Sequence, residues 1–377
     1  MPYAYADALA RIIDEVIAPA AGEVDADAVF PRRQVDALAG AGLLGLTVPA
    51  EFSGAGEGLR AAAHVVKELG AVCGSTAMVV TMHYAATAAL VAAGMNDALA
   101  EIAAGAHLST LAFSEFGSRS HFWAPLGTAA DAGRDVRLDA RKSWVTSAGQ
   151  ADSYVWSSRP LHAAGPMTLW LVPGGSAGLS VAGAFDGLGL RGNGSAPMTA
   201  DGLRVPRGAM VGADGAGLDL ALSAVLPVFL ICSASMSAGL MRRLAEETAA
   251  HLQHAQLQHL GQSLAQQVQP RAQLAKLRIE ADLTRGLIED TLTAVEQGRG
   301  DAQLQVLEVK AAAAEAAAEA ADLALRACGG AAFRKESPVE RLFRDSRAAR
   351  VMAPTTDALH DFIGRALCGL PLLGDAA

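Results

Sequence analysis

The chain of 377 residues carries a net charge of −9, and 51% of its residues are hydrophobic while 18% are charged. These proportions exclude an intrinsically disordered protein, which combines low hydrophobicity with high charge. The acidic balance leaves no basic surface for nucleic acid, so a nucleic-acid partner is not expected. Because alanine and glycine abound and let helices pack closely, the composition predicts a mostly helical protein with a large core.

Residues 1–107 predict an all-helical N-terminal domain. Pro31 opens a helix at its first turn, and two apolar helices follow over residues 59–69 and 75–93, with Ser75 as the N-cap of the second. The first residues of the chain have acidic side chains within their apolar stretch and no basic leader. A signal peptide is therefore not expected, and we predict a cytoplasmic protein.

Residues 108–212 predict a β domain. Short runs rich in β-branched and aromatic residues, such as Met167–Pro173, alternate with glycine, proline, aspartate and serine, which is typical of short antiparallel strands. All four tryptophans of the chain lie in this part: Trp123, Trp144, Trp156 and Trp170. This segment therefore differs in kind from its helical flanks.

Residues 213–377 predict a C-terminal helical bundle. The predicted helices cover residues 218–257, 264–297, 302–326, 339–351 and 355–367. The apolar window Ala221–Leu240 approaches the length of a membrane span, but charged amphipathic helices follow it directly. We therefore predict a buried helix and no membrane association.

The cysteines predict neither a metal site nor a disulfide framework. They are widely spaced in apolar or helical contexts, without a CxxC motif or a Cys/His cluster: Cys73, Cys232, Cys328 and Cys368. Reduced, buried thiols are the expectation. No P-loop, no GxGxxG motif after a strand, no HExxH and no GxSxG is present, so neither a Rossmann-type nucleotide site nor a hydrolase elbow is predicted.

Two clusters in the β domain carry candidate chemistry, residues 113–121 (FSEFGSRSH) and 144–149 (WVTSAG). A flat aromatic cofactor needs an aromatic wall and hydrogen-bonding groups at its heteroatom edge. Trp144 and Thr146 lie two positions apart, so strand alternation predicts that both face the same side. The alternative for Trp144 is an ordinary core residue.

Further motifs fall in a fixed order along the chain. Gly42–Gly56 forms a helix-to-loop element, and Leu188–Ser195 reads LGLRGNGS. Near the C-terminus, Gly329-Gly330 precedes Val339-Glu340-Arg341 and Arg344-Asp345. Together with Ser114-Glu115 and the segment from Trp144 to Ser147, they make essentially the whole chain similar to the acyl-CoA dehydrogenases. This resemblance implies a helical domain, an antiparallel β-barrel-like domain and a four-helix bundle.

The resemblance also implies FAD as cofactor, an acyl thioester of CoA or of a carrier protein as substrate, and electron-transfer flavoprotein or oxygen as electron acceptor. A homodimer or homotetramer is implied as well, since the family's FAD is shared between subunits. The implied cofactor-binding residues are Phe113, Ser114, Trp144, Thr146, Ser147, Gly329, Gly330, Thr355 and Asp357. The implied substrate-binding residues are Ser120, His121 and Arg191.

The chain departs from the family pattern at the general base. Ala353 stands where family members carry the catalytic glutamate, and the first long bundle helix, the other usual location, has no carboxylate over residues 221–241. The foremost candidates for a relocated base are His83 and Asp357. The others are Glu115, expected to bond a turn, and His121, His360 and Asp361.

A second departure concerns the FAD diphosphate. The family's Arg-x-x-Phe-Gly is replaced by residues 257–261, LQHLG. Loss of this charge-assisted contact weakens the binding of a phosphate, and Arg242, Arg243 or Arg271 could compensate.

Three interpretations follow. The first is a flavin-dependent acyl-thioester dehydrogenase with a relocated base. The second is a flavoenzyme of the same fold whose chemistry needs no glutamate, such as elimination or oxidation of an already activated substrate. The third is a non-catalytic subunit that pairs with an active paralogue. Trp144 and Thr146 favour the first two, whereas Ala353 favours the last two.

Overall fold

The N-terminal part of the molecule consists of helices. In the computed structural model, which describes residues 4–119 and 121–374, they are α1 Ala6–Ile12, a π-helical turn Ile13–Ile17, α2 Ala18–Ala26, α3 Arg32–Gly40, α4 Leu59–Gly70, α5 Gly74–Ala93 and α6 Asn96–Ala103. α5 carries small and apolar side chains on all sides. It is buried along most of its length because such a helix has no polar face for solvent.

The start of α5 differs from the prediction. The helix begins at Gly74, directly after Cys73, and no side chain caps it. The Oγ of Ser75 instead accepts a hydrogen bond from the backbone N–H of Gly192 at 3.0 Å. The prediction of Ser75 as N-cap was therefore wrong, because this hydroxyl links the N-terminal helices to the β domain.

The middle of the chain forms two four-stranded sheets. Its strands are β1 Ser109–Ala112, β2 Thr128–Ala132, β3 Asp135–Val145, β4 Ser153–Ser158, β5 Thr168–Pro173, β6 Leu179–Val181, β7 Ala196–Pro206 and β8 Met210–Val211. One sheet has the strand order β1-β4-β5-β8 and the other β2-β3-β7-β6. Tyr154, Trp156 and Trp170 of the first sheet pack on Leu138 and Leu203 of the second and form the core between them.

One strand pair contradicts the prediction of a purely antiparallel arrangement. β1 pairs with β4 in parallel, with Ser109 opposite Ser153 and Ala112 opposite Trp156. Between these two strands the chain crosses to the other sheet and forms β2 and β3 there. The returning strand consequently runs in the direction of β1, and a parallel pair requires such a crossover.

The C-terminal part is a helical bundle. A continuous helix starts with α7 Gly217–Leu220 and passes through the π-helical turn Ala221–Val225 into α8 Leu226–His254. It is followed by β9 Gln256–Leu257, β10 Gln262–Ser263, α9 Val268–Glu296, α10 Ala302–Cys328, α11 Pro338–Ser346, α12 Ala348–Val351 and α13 Thr356–Leu367. The short hairpin of β9 and β10 ends the first long helix earlier than the predicted residue 257.

Two helices are long and apolar enough to cross a membrane by length and composition, Gly74–Ala93 and Gly217–His254. Of their most apolar windows, 72% and 67% respectively is buried inside the protein. This burial agrees with the prediction of a buried helix over residues 221–240.

A shared hydrophobic core joins the three parts. Leu90 of α5, Leu169 of β5, Ile231 of α8 and Val309 of α10 belong to one cluster of fully buried side chains. Among the thiols, those of Cys73, Cys232 and Cys328 are buried and free as predicted. The prediction fails at Cys368, which is exposed because it follows the last residue of α13.

Candidate functional site

A cavity of about 480 Å³ opens where the N-terminal helices, the β domain and the bundle meet. Apolar side chains from all three parts form most of its wall: Met78, Met82, Leu111, Phe113, Phe122, Val225, Leu226, Phe229 and Met352. Hydroxyl groups lie on the β-domain side: Ser114, Ser143, Thr146 and Ser195. The cavity therefore combines a large apolar volume with one hydroxyl-rich edge.

Trp144 forms an aromatic wall of this cavity. Its backbone has a left-handed φ of +55°, which is uncommon for a bulky residue and occurs where the register of β3 and β7 shifts. Its side chain is 68% exposed and meets the ring of Phe185 edge-on, with the centroids 6.2 Å apart. An indole held outside the sheet leaves a flat apolar face open to a ligand.

Thr146 lies beside the indole on the same cavity wall. β3 ends at Val145, so the shared position of Trp144 and Thr146 results from the irregular end of the strand and not from regular alternation. The Oγ1 of Thr146 is 3.3 Å from the Oγ of Ser195. The next residue, Ser147, does not line the cavity, and its buried Oγ has no partner among the described residues.

A buried ion pair fixes the turn that carries Ser114. The Nζ of Lys142 lies 2.5 Å from the Oε1 of Glu115, and the Oε2 of Glu115 accepts the backbone N–H groups of Leu126 and Gly127. Burial lowers the pKa of Lys142 to about 8, against the opposing effect of the Glu115 charge. Glu115 is therefore engaged in structure, as predicted, and does not face the cavity as a base.

Lys142 is a residue that the sequence interpretation missed. Its side chain is fully buried, and Nζ also donates to the carbonyl and hydroxyl oxygens of Ser157. The available signal was the alternation along β3, because Lys142 falls on the same side of the two-residue period as the buried Val136 and Leu138.

The cavity wall contains no group of the kind that serves as a general base. Within residues 4–119 and 121–374, no carboxylate and no imidazole lines it, and its charged members are Arg344 and Arg347. Ala353 lies on this wall between Met352 and Pro354. The position that the resemblance assigns to the family's glutamate therefore faces the cavity with the methyl group of Ala353.

His83 lies away from the cavity in the protein core. Its Nδ1 accepts the backbone N–H of Ser109 at 3.1 Å, so the proton is on Nε2, which donates to the carbonyl oxygen of Leu44 at 3.0 Å. Burial lowers its pKa to about 4. Both ring nitrogens are thus occupied, and His83 is not in a position to take a proton from a ligand in the cavity.

The candidate bases of the last helix do not line the cavity either. Asp357, His360 and Asp361 are exposed on α13. The Oγ1 of Thr355 caps this helix by accepting the backbone N–H of Ala358 at 3.3 Å. The predicted cofactor-binding roles of Asp357 and Thr355 stay predictions, because neither residue belongs to the cavity wall of this subunit.

The remaining predicted residues that the structure describes do not line the cavity. Arg191 donates to the carbonyl oxygen of Asp25 and pairs with Asp186, so it ties a β-domain loop to the N-terminal helices. His121 is exposed and stacks on Trp123, with ring centroids 4.6 Å apart. Gly329 and Gly330 are exposed at the end of α10. Ser120 lies outside the described residues.

The three arginines considered for the diphosphate have protein partners. Arg242 forms a bidentate pair with Glu68, and Arg243 pairs with Glu247. Arg271 donates to the carbonyl oxygen of Ala265. A compensating role for any of them stays a prediction.

The chemistry of the cavity fits a flat aromatic cofactor. The open indole face of Trp144 supplies a stacking surface, and the hydroxyls of Ser114 and Thr146 supply hydrogen bonds at its edge. The apolar residues on the opposite side leave room for an aliphatic chain.

Family models agree with this geometry. The model for the N-terminal domain of acyl-CoA dehydrogenases matches residues 3–103, and the model for their C-terminal domain matches residues 215–368. The chain belongs to the acyl-CoA dehydrogenase family. This family consists of FAD-dependent oxidoreductases that act on acyl thioesters.

Individual acyl-CoA dehydrogenases are distant in sequence but close in structure. The mitochondrial short-chain specific acyl-CoA dehydrogenase of Bos taurus is 26% identical over 347 residues, covering 90% of this chain and 83% of the relative. Butyryl-CoA dehydrogenase from Megasphaera elsdenii superposes with a TM-score of 0.89 at 18% identity, over 98% of this chain and 100% of that structure. It therefore shows the shared fold.

A second similar structure is that of a biosynthetic protein. It is FkbI, described as acting in biosynthesis of the methoxymalonyl extender unit of the polyketide immunosuppressant Fk520. It is 25% identical, with a TM-score of 0.85 over 96% of this chain and 99% of FkbI.

Proposed function

We propose that this protein binds FAD and oxidises an acyl thioester in the central cavity. The observation that carries the proposal is the meeting of Trp144, Thr146 and Ala353 on one cavity wall, opposite the apolar side chains of α5 and α8. These positions match the flavin side and the base position of the acyl-CoA dehydrogenases. The cavity volume of about 480 Å³ suits a ring system together with a short acyl chain.

The residues toward FAD follow from the cavity wall. The indole of Trp144 would stack beside the ring system, and the hydroxyls of Ser114 and Thr146 would bond its heteroatom edge. Bound FAD supplies the acceptor for the hydride that leaves the β-carbon. The apolar wall of Met78, Met82 and Phe229 would pack along the acyl chain and orient it.

The lack of a side-chain base on the described cavity wall limits which acyl thioesters can be oxidised there. A positioned general base contributes about 10²–10⁴-fold to rate, and the described cavity wall offers no carboxylate or imidazole for that role. A relocated base, the first sequence interpretation, therefore lacks a candidate on this wall. We propose a substrate whose α-proton is already acidified by a second electron-withdrawing group, so that water in the cavity accepts this proton while the hydride leaves for the flavin. The extender unit named for FkbI, a malonyl derivative, has its α-carbon between a thioester and a carboxyl group, and the carboxyl group acidifies this carbon once its negative charge is neutralised.

The proposal includes the carrier of the thioester, the electron acceptor and the oligomeric state. A thioester on CoA or on a carrier protein presents the acyl group through the same pantetheine arm, so both fit the apolar cavity. Electron-transfer flavoprotein or oxygen would reoxidise the flavin. A cytoplasmic homodimer or homotetramer would let the exposed Gly329 and Gly330 approach the FAD of a neighbouring subunit.

The test is the visible spectrum of the purified protein under anaerobic conditions. We expect a yellow protein whose flavin band bleaches with an ethylmalonyl-type thioester and much more slowly with a butyryl thioester, each offered on CoA and on a carrier protein. Equal or faster bleaching by the butyryl thioester would defeat the proposed substrate class. A colourless protein that takes up no FAD would instead support the non-catalytic subunit.

A further inference from the structure

Two arginine ion pairs fasten the segment before Ala353 to α10. The Nη2 of Arg347 lies 2.8 Å from the Oδ1 of Asp322, and the Nη2 of Arg350 lies 2.5 Å from the Oε2 of Glu315. The first contact is nearer the C-terminal end of α10 and the second nearer its middle. The segment therefore runs antiparallel to α10 toward the cavity.

Lys310 makes the last contact along this line. Its side chain is fully buried on α10, and Nζ donates to the carbonyl oxygens of Met352 at 3.1 Å and Pro354 at 2.7 Å. No carboxylate among the described residues pairs with this ammonium. Burial lowers the pKa of Lys310 to about 7. Because burying a cation is costly, an apolar side chain would fill this space more favourably if filling were its only purpose.

The two contacts determine the orientation of the peptide between Met352 and Ala353. In a trans peptide the C=O and N–H groups point in opposite directions. The Met352 carbonyl points to Lys310, which is not part of the cavity wall, whereas Ala353 itself lines the cavity. The N–H of Ala353 therefore points away from Lys310, and Ala353 meets the cavity on the other side of this peptide. Among the described residues, no group accepts a hydrogen bond from it.

We propose that Lys310 is a positioning residue that aims the backbone N–H of Ala353 at the carbonyl oxygen of a bound thioester. By holding the carbonyls of Met352 and Pro354 against α10, it keeps a preorganised donor where negative charge develops on that oxygen. The donor is a backbone group, so it persists although the side chain at this position is alanine. This inference rests on the proposed binding of a thioester in the cavity.

The experiment compares two ligands that differ only at the carbonyl. Butyryl-pantetheine and its thioether analogue S-butyl-pantetheine are titrated into the FAD-loaded protein, and the change in the flavin spectrum gives each affinity. The wild type should prefer the thioester. Lys310→Met should weaken thioester binding about tenfold and leave thioether binding unchanged, since the hydrogen bond to the thioester carbonyl oxygen is lost. Glu315→Gln, which removes the Arg350 ion pair but keeps both hydrogen bonds of Lys310, should keep the wild-type preference.

The remaining outcomes are decisive as well. A folded Lys310→Met protein that keeps the preference, or that loses affinity for both ligands equally, would overturn the positioning role. If this variant does not fold, Lys310→Gln replaces it, because its amide can satisfy one of the two carbonyls. In that variant the affinity for the thioester should fall about threefold while the affinity for the thioether stays unchanged. Any other pattern of affinities overturns the inference. A wild type that binds neither ligand would refute the proposed function itself.

Discussion

Ala353 is the residue that we predict to stand at the family's base position. It lies on the cavity wall, so a longer side chain there would enter the cavity and face a bound acyl group. Ala353→Glu should raise the rate of flavin reduction by a butyryl thioester about a hundredfold or more, because it adds a positioned base. Stopped-flow bleaching under anaerobic conditions measures this rate.

Ala353→Gln is the matched control, since it has the same size but cannot accept the proton. If the glutamate and glutamine variants reduce the flavin at the same rate, Ala353 does not occupy the base position.

His83 predicts a pH dependence of stability. Its pKa is lowered to about 4 by burial, whereas the unfolded chain has the ordinary value of about 6.5. Between pH 6.5 and 4 the unfolded state binds a proton at His83 and the folded state does not. The contribution of His83 to the free energy of unfolding is therefore complete above pH 6.5 and decreases as the pH falls to about 4. The expected loss between pH 7 and 4.5 is about 2.5 kcal/mol.

Urea unfolding of the wild type and of His83→Gln at both pH values measures this contribution. The glutamine can still donate to Leu44 and accept from Ser109, but it does not titrate, so this part of the loss should disappear. His121→Gln serves as the control because that ring is exposed. A wild-type loss that persists unchanged in His83→Gln would contradict the assignment.

Single residues also show what the sequence could predict of the site. The pairing of Trp144 with Thr146 and the position of Ala353 were recognisable because motif order along the chain marks them. The carboxylate-free wall and the fully bonded His83 were not recognisable, because both depend on which distant residues fold around them.

At the level of elements, the crossing of α4 and α8 depends on two glycines. A Cβ on Gly239 would lie 2.0 Å from the carbonyl oxygen of Lys67, and one on Gly70 would lie 2.7 Å from that of Met236. Backbone atoms cannot move aside as a flexible side chain can. Gly239→Ala should therefore lower the free energy of unfolding by at least about 2 kcal/mol, as measured by urea denaturation.

Gly286→Ala is the control for intrinsic helix propensity. Gly286 lies inside α9 with open space around its Cβ position, so this substitution should stabilise by about 0.5–1 kcal/mol. Stabilisation by both substitutions would show that the two helices do not pack this closely.

The elements themselves were predicted unevenly. The long helices α9 and α10 follow from local periodicity and α5 from its continuous run of small and apolar residues, and a single sequence displays both signals directly. The parallel pairing of β1 with β4 did not follow, because strand direction depends on where the intervening chain crosses between sheets.

For the whole molecule, one buried ion pair ties all three parts together beside the cavity. Arg344 of α11 binds Asp25 of α2 and the carbonyl oxygen of Leu188 in the β domain. The side chains of Arg344 and Asp25 are only 9% and 15% exposed. Asp25→Asn should lower the free energy of unfolding by about 3 kcal/mol, because it leaves the buried guanidinium of Arg344 without part of its countercharge.

The comparison is Glu289→Gln, which breaks the more exposed pair between Arg60 and Glu289. Glu289→Gln should lower the free energy of unfolding by less than about 1 kcal/mol. Thermal or urea unfolding measures the loss of stability in both variants. Equal losses would show that the Arg344 pair does not hold the three parts together.

The sequence by itself determined the helix–sheet–helix order and the family, and it predicted an alanine in place of the usual glutamate, because each is expressed in local patterns or in motifs at fixed order. Only the tertiary structure decided what surrounds Ala353: a cavity whose described wall has no carboxylate or imidazole, and a buried Lys310 that holds the carbonyl groups of Met352 and Pro354. The physical reason is that Lys310 and Met352 are separated by most of α10 and two further helices. Contacts across such separations are made by packing, which no local pattern records.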